Sequence, residues 1–204
     1  MLNIRQNDDG TMSLVNADGE ECWRFHDDSV YSDYLVGGTA VATRGAAAPD
    51  FANLRDGLYL YAFDGAAAAE EVFFTVHILH DIKQGTTPTF HVHWTHNNAS
   101  PSGDVKWQLE YTMAKGYETQ AFGASTTLTS TQTASSQYYH HITPDDMSLD
   151  TTNMEPDSLI LCRLYRDPTD AADTFADDAF LIQVDMHYER DKNGTKERNR
   201  PFEW

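Results

Sequence analysis

The spacing of the apolar residues constrains this chain more than any other feature. In VKWQLEYTM, Val105, Trp107, Leu109, Tyr111 and Met113 alternate with Lys106, Gln108, Glu110 and Thr112. Successive side chains of a strand point to opposite faces, so this run is a half-buried β-strand. The same period returns in AFLIQVDMHYERD. There Phe180, Ile182, Val184, Met186 and Tyr188 fall on one face, and Leu181, Gln183, Asp185, His187 and Glu189 on the other. SLILCRLYRD reads as a buried strand. In GLYLYAFDG, Leu58, Leu60 and Ala62 alternate with Tyr59, Tyr61 and Phe63. FFTVHILHD and FHVHWTHNN precede VKWQLEYTM, joined to it and to each other by Gly/Pro/Ser/Asn turns. These three runs are expected to form one sheet that carries His77, His80, His91, His93 and His96.

Summed along the chain, the pattern predicts about eight strands and almost no helix. The fold class is therefore all-β: an antiparallel β-sandwich, with a jelly roll and extended terminal arms as the size match. The expected core includes Trp107, Leu109, Tyr111, Leu161, Phe180, Ile182, Val184 and Met186. The Thr/Ser-rich stretch that follows Tyr117 is read as exposed strand, because β-branched threonine favours extended backbone. Helix is expected only as single turns near Ala66–Glu71, where alanine has the best propensity, and around Asp145. FANLRDG offers one helical turn at most. MSLVNADGEECWRF predicts a hairpin from Ser13–Val15 to Cys22–Phe25, turning through Asn16, Asp18 and Gly19. Three segments follow: an arm or hairpin over 1–34, the sandwich over 35–190, and a charged tail over 191–204. Trp23 and Phe25 in the arm, with Phe202 and Trp204 in the tail, are the candidate interface residues, since aromatics anchor interfaces.

With 32 Asp and Glu against 14 Lys and Arg, the formal net charge is -18. Nucleic-acid binders neutralise phosphates with Lys and Arg, and anionic membranes attract basic segments, so neither is an expected partner. Cys22 and Cys162 are too few for a disulfide framework, and Cys162 lies in the apolar run LILCRLY. The first residues hold no apolar stretch that reads as a secretion signal, and no run reaches the length of a membrane span. The expectation is a soluble chain made in a reducing cytoplasm.

Four patterns in the chain could carry chemistry. His91 and His93 share a strand face, about 7 Å apart by the strand rise, close enough for one metal. Gly85, five residues, then His91-Val92-His93 resembles the first half of the cupin motif, and His77 was the candidate third ligand. Where the cupin family carries a glutamate, this chain has Asn97 and Asn98. The reading is therefore no metal and no cofactor, with His77, His91 and His93 the candidates should one bind, and His91 and His93 as sheet-face residues hydrogen-bonded to Thr and Asp neighbours. His140 and His141 are adjacent, so one is expected exposed and one packed. Asp185, His187 and Glu189 share a face, read as a solvated one. There is no GxSxG elbow, P-loop or GxGxxG, and the chain is not expected to be an enzyme.

HILHDIKQGT, TFHVHW and VKWQLEYTMA, in that order, resemble a family of tailed-bacteriophage virion proteins. In that family a histidine-bearing strand, a Lys-Gly turn and an H-x-H-W strand precede a W-x-L-E-Y strand. His187-Tyr188-Glu189, Asp191 and Gly194-Thr195 resemble its closing segment. The resemblance covers residues 57–113 and 180–196. It implies a virion structural protein assembled in the host cytoplasm, with the major capsid protein or other virion proteins and its own copies as partners, a trimer being one arrangement. A capsid decoration or cement role is the expectation. A neck, collar or tail component is the alternative within that class. A cupin-like metal-binding enzyme or a carbohydrate-binding sandwich is the alternative outside it.

Overall fold

Alternation of apolar and polar residues along most of the chain gives strands and almost nothing else. The structure, a computed structural model, describes residues 3–8, 12–25, 30–38, 41–66, 68–144 and 146–190. In chain order the strands are β1 (Asn3–Gln6), β2 (Met12–Val15), β3 (Glu21–Phe25), β4 (Val30–Gly37), β5 (Ala42–Thr43), β6 (Asp50–Arg55), β7 (Leu58–Phe63) and β8 (Glu70–His77). They continue as β9 (Thr89–Thr95), β10 (Asp104–Ala114), β11 (Thr126–Thr133), β12 (His141–Ile142), β13 (Met147–Ser148), β14 (Leu159–Arg166) and β15 (Ala179–Arg190). All pairings are antiparallel, and the fold is a jelly-roll-like β-sandwich. Among the described residues no helix is long and apolar enough to cross a membrane.

Besides a three-stranded sheet β1-β2-β3, two larger sheets form, one in the order β11-β10-β14-β8-β5. The other runs β12-β9-β15-β7-β6, with β13 on β9 and β4 on β15. Their facing sides meet in one core of Phe63, Val72, Val76, Phe90, Val92, Trp94, Trp107, Leu109, Leu164, Val184 and Met186, among others. Phe63 meets Trp107 edge-on at 5.0 Å between ring centroids. The expected single sheet of β8, β9 and β10 does not form. β8 and β10 flank β14, whereas β9 crosses to the other sheet. A sandwich core is built by strands that alternate between layers, and turn signals do not say which layer the next strand joins.

Two elements depart from simple alternation. Leu181 pairs with Trp94 and Gln183 with the adjacent His93, so Ile182 is the extra residue of a β-bulge. The bulge moves Leu181 and Val184 both to the inner face and leaves Ile182 half-buried, outside the core where the alternation put it. Gly38 caps the bulge: its N–H donates to the Ile182 carbonyl at 2.8 Å, and a Cβ there would stand 2.6 Å from the same oxygen. In β14 the inner face is Ile160, Cys162 and Leu164, while the expected core residue Leu161 is 42% exposed. The run LILCRLY is apolar on both faces, so its period could not say which face is inner.

FANLRDG is strand β6 and not a helical turn, because Asp56 (φ 49°) and Gly57 (φ 83°) form the two-residue turn of a hairpin with β7. No helix forms among the described residues of Ala66–Glu71. Glu70 and Glu71 open β8, and a single 3-10 turn lies instead at Gly45–Ala47. Asp145 lies outside the described residues. The hairpin of β2 and β3 forms as expected, with the Asn16 side chain accepting from the Asp18 and Glu20 N–H groups at 3.0 and 2.8 Å. β4 begins inside the stretch assigned to the arm and pairs with β15 from Arg190–Val30 to Gln183–Gly37, so it belongs to the larger sheet.

Candidate functional site

Three neighbouring strands bring the site together. β15 is central, with β9 on one edge and β7 then β4 on the other. Asp185 lies directly across from His91 on β9, and His187 directly across from Asp33 on β4. Because side chains two apart share a face, Asp185 and His187 point the same way, and His91 and His93 join them. The inward neighbours Phe90, Val92, Val184 and Met186 fill the core and fix which face the histidines take.

Asp185 is the hub. Its Oδ1 is 3.3 Å from His91 Nδ1, and its Oδ2 is 2.9 Å from His93 Nε2 and 3.4 Å from His187 Nε2. His187 Nε2 also reaches Asp33 Oδ1 at 3.0 Å. The His91 and His187 rings meet at 4.1 Å between centroids. His91 and Asp185 are 2% and 3% exposed, whereas the His187 and Asp33 side chains are 40% and 51% exposed, so the cluster opens to solvent on one side. Burial alone would raise the pKa of Asp185. The imidazoles of His91 and His93 beside it outweigh burial and hold the carboxyl below the ordinary aspartate value. His93 donates from Nε2 to this carboxylate, which leaves its Nδ1 to accept from His140 Nε2 at 2.7 Å. Burial and the nearby His93 lower the pKa of His140.

The sequence candidates thus divide. His91 and His93 do share a face, and Asp185 and His187 complete their cluster. His77 does not join them, because β8 is in the opposite sheet; it pairs with Asp157 at 2.9 Å, and His80 reaches the other oxygen of Asp157 at 3.2 Å. His96 is buried, with Nε2 on the Ser135 carbonyl at 2.9 Å. His140 is exposed and His141 packed, as their adjacency predicts; His141 stacks on Trp94 at 4.2 Å. Ser135 Oγ stands 2.8 Å from His141 Nε2, but that nitrogen also takes the Ser135 backbone N–H at 3.0 Å, so the pair closes a turn. Phe202 and Trp204 lie outside the described residues, as do the side chains of Trp23 and Phe25. Asp33 was missed in the sequence, since only strand register reveals that it faces His187.

A second surface feature was also missed. Among the described residues β6 is the edge of its sheet, and Phe51, Tyr59 and Tyr61 share the face that carries the core residue Phe63, where the hairpin runs out beyond the core. Phe51 meets Tyr59 at 5.8 Å and Tyr61 at 5.4 Å, with Phe51 56% and Tyr59 50% exposed. Its signal was the Asp56-Gly57 turn, which converts FANLR and LYLYA into a hairpin.

No family model matches the chain, and no curated protein matches it. Among solved structures it is similar to a chain in the "Structure of infectious bursal disease virus Gt strain". The TM-score is 0.35 and the identity 9%, over 93% of this chain; this chain spans 40% of the length of that one.

Proposed function

We propose that this protein is a structural component of a virus particle, of the tailed-phage type its strand motifs resemble. Within that class it acts as a capsid decoration or cement protein, docked on the shell and on its own copies. The observation that carries this reading is the aromatic strip on the edge hairpin, where Phe51 and Tyr59 are exposed beside a partly buried Tyr61, with Leu58 66% exposed at the turn. An edge strand with exposed aromatics is a site for adding another chain, and tyrosine is enriched among the few residues that dominate binding energy at interfaces. The resemblance supports the same reading, because its two separated motifs, FHVHW and VDMHYE, lie side by side as β9 and β15. The net charge of -18 keeps such a domain off packaged nucleic acid and directs it to basic patches on a shell. The role is non-enzymatic.

Quantitative proteomics on purified particles tests the assignment. Decoration requires on the order of hundreds of copies, set by shell symmetry. A count near about six or twelve places the protein at the tail vertex as a neck, collar or tail component and overturns the decoration role. Absence from particles overturns the virion reading altogether. Phe51→Asp is expected to leave the fold intact and to abolish co-sedimentation with particles.

A further inference from the structure

We propose that His91, Asp185, His187 and Asp33 form a binding site for one divalent transition-metal ion of the zinc class, which staples β4, β15 and β9 together. The inference is independent of the virion reading. The ligand atoms that His91, Asp185 and His187 can offer all lie within 4.8 Å of one another. Asp33 Oδ1, 3.0 Å from His187 Nε2, supplies a fourth from the solvent side. Zinc binds imidazole nitrogen and carboxylate oxygen at about 2.0–2.2 Å, usually with four ligands. Ligand atoms around such a tetrahedral ion stand about 3.3–3.6 Å apart, so small movements of the half-exposed His187 and Asp33 side chains close the set.

The donor chemistry selects the ion. Two imidazoles and two carboxylates suit zinc, cobalt, nickel or iron, whereas calcium takes six to eight oxygens. Two carboxylates balance the ion's charge, so the filled site is neutral where it reaches the buried His91 and Asp185. His93 is a positioning residue: it holds the Asp185 carboxylate by Oδ2 and is held in turn by His140. Such partners orient metal ligands and are characteristic of built sites. The backbone register is equally specific, since two direct cross-strand pairs, Asp185–His91 and His187–Asp33, stack on one face across three strands. Entry is from the His187–Asp33 side. The sequence pattern pointed to His77 as the third ligand, and the sheet crossover replaces it with β15 and β4.

The test uses the untagged full chain, stripped with chelator and then dialysed against zinc chloride or cobalt chloride. Elemental analysis is expected to find about one zinc retained per chain, and cobalt to give the intense visible absorption of a tetrahedral or five-coordinate site. Thermal melting should shift upward on zinc addition, because an ion that binds only the folded state stabilises it. His187→Gln and Asp33→Asn, both half-exposed and tolerable to the fold, should each weaken zinc binding by roughly tenfold or more. His77→Gln, on the other sheet, should bind as wild type. The proposal is overturned if the wild-type chain retains no zinc, if cobalt gives only the weak octahedral spectrum, or if His187→Gln binds zinc as tightly as wild type.

Discussion

Leu109 and Leu161 show how much a single side chain's face decides. Both sit in long strands of the same sheet, paired through β10 and β14. Leu109 is 1% exposed in the core, so Leu109→Ala is expected to cost about 2–5 kcal/mol in urea denaturation. Leu161 points outward, and Leu161→Ala should stay within about 0.5 kcal/mol. Equal losses at the two positions would mean that β14 is inverted. Cys162 beside it is buried, and burial pushes its thiol well above the ordinary value, so it should resist alkylation in the native protein while exposed Cys22 reacts.

At the scale of elements, the acidic loop between β14 and β15 is held by one buried cation. Arg166, 0% exposed, grips Asp173 through Nε and Nη2 at 2.9 and 2.8 Å. It also donates to the carbonyls of Phe63 and Asp177 at 2.9 and 2.7 Å, and to that of Phe175. This acidic stretch is a latch that closes the end of the sandwich over Phe175. Asp173→Ala leaves the guanidinium buried without its carboxylate and is expected to cost about 3–5 kcal/mol, read from the denaturant midpoint. The hairpin turn gives a second element-scale test. Gly57→Ala puts a Cβ at φ 83° and should destabilise by about 1 kcal/mol or more. No loss there would argue against the turn.

For the whole molecule, acid is the informative stress. His96 and His141 have pKa values lowered chiefly by burial, His141 also by the nearby His96. Their folded form prefers the neutral ring, so the unfolded chain binds more protons as pH falls. Stability from these groups is complete above their ordinary value of 6.5 and declines as pH drops through their lower folded values. Asp185 acts in the same direction at lower pH: its contribution is full above 3.8 and is lost as pH falls through its depressed folded value. Glu70 and Asp178 oppose this, since burial and neighbouring acids raise them and protonation relieves their strain near their own higher values. The melting temperature is therefore expected to fall between pH 7.5 and 5.5, before the carboxylates titrate. His96→Gln, which keeps a donor for the Ser135 carbonyl, should flatten that fall, and an unchanged slope would exclude His96 as its source.

The period-two patterns of β7, β10 and β15 and the Asn16–Gly19 turn made the all-β class and most strands legible from residues alone, because strand geometry is local. The shared face of His91 and His93 was legible for the same reason, as were the division of His140 from His141 and the burial of Cys162. Sheet membership was not. β8, β9 and β10 follow one another with ordinary turns, yet β9 pairs with β15, nearly ninety residues away, and this long-range pairing carries no local signal. The bulge at Ile182 was equally hidden, since one extra residue changes a register without changing a composition. The candidate site depends on both: His91 meets Asp185 only through the crossover, and Asp33 meets His187 only because β4 continues the sheet beyond β7. Local sequence determined which side chains share a strand face, and tertiary pairing alone decided which faces were brought into contact.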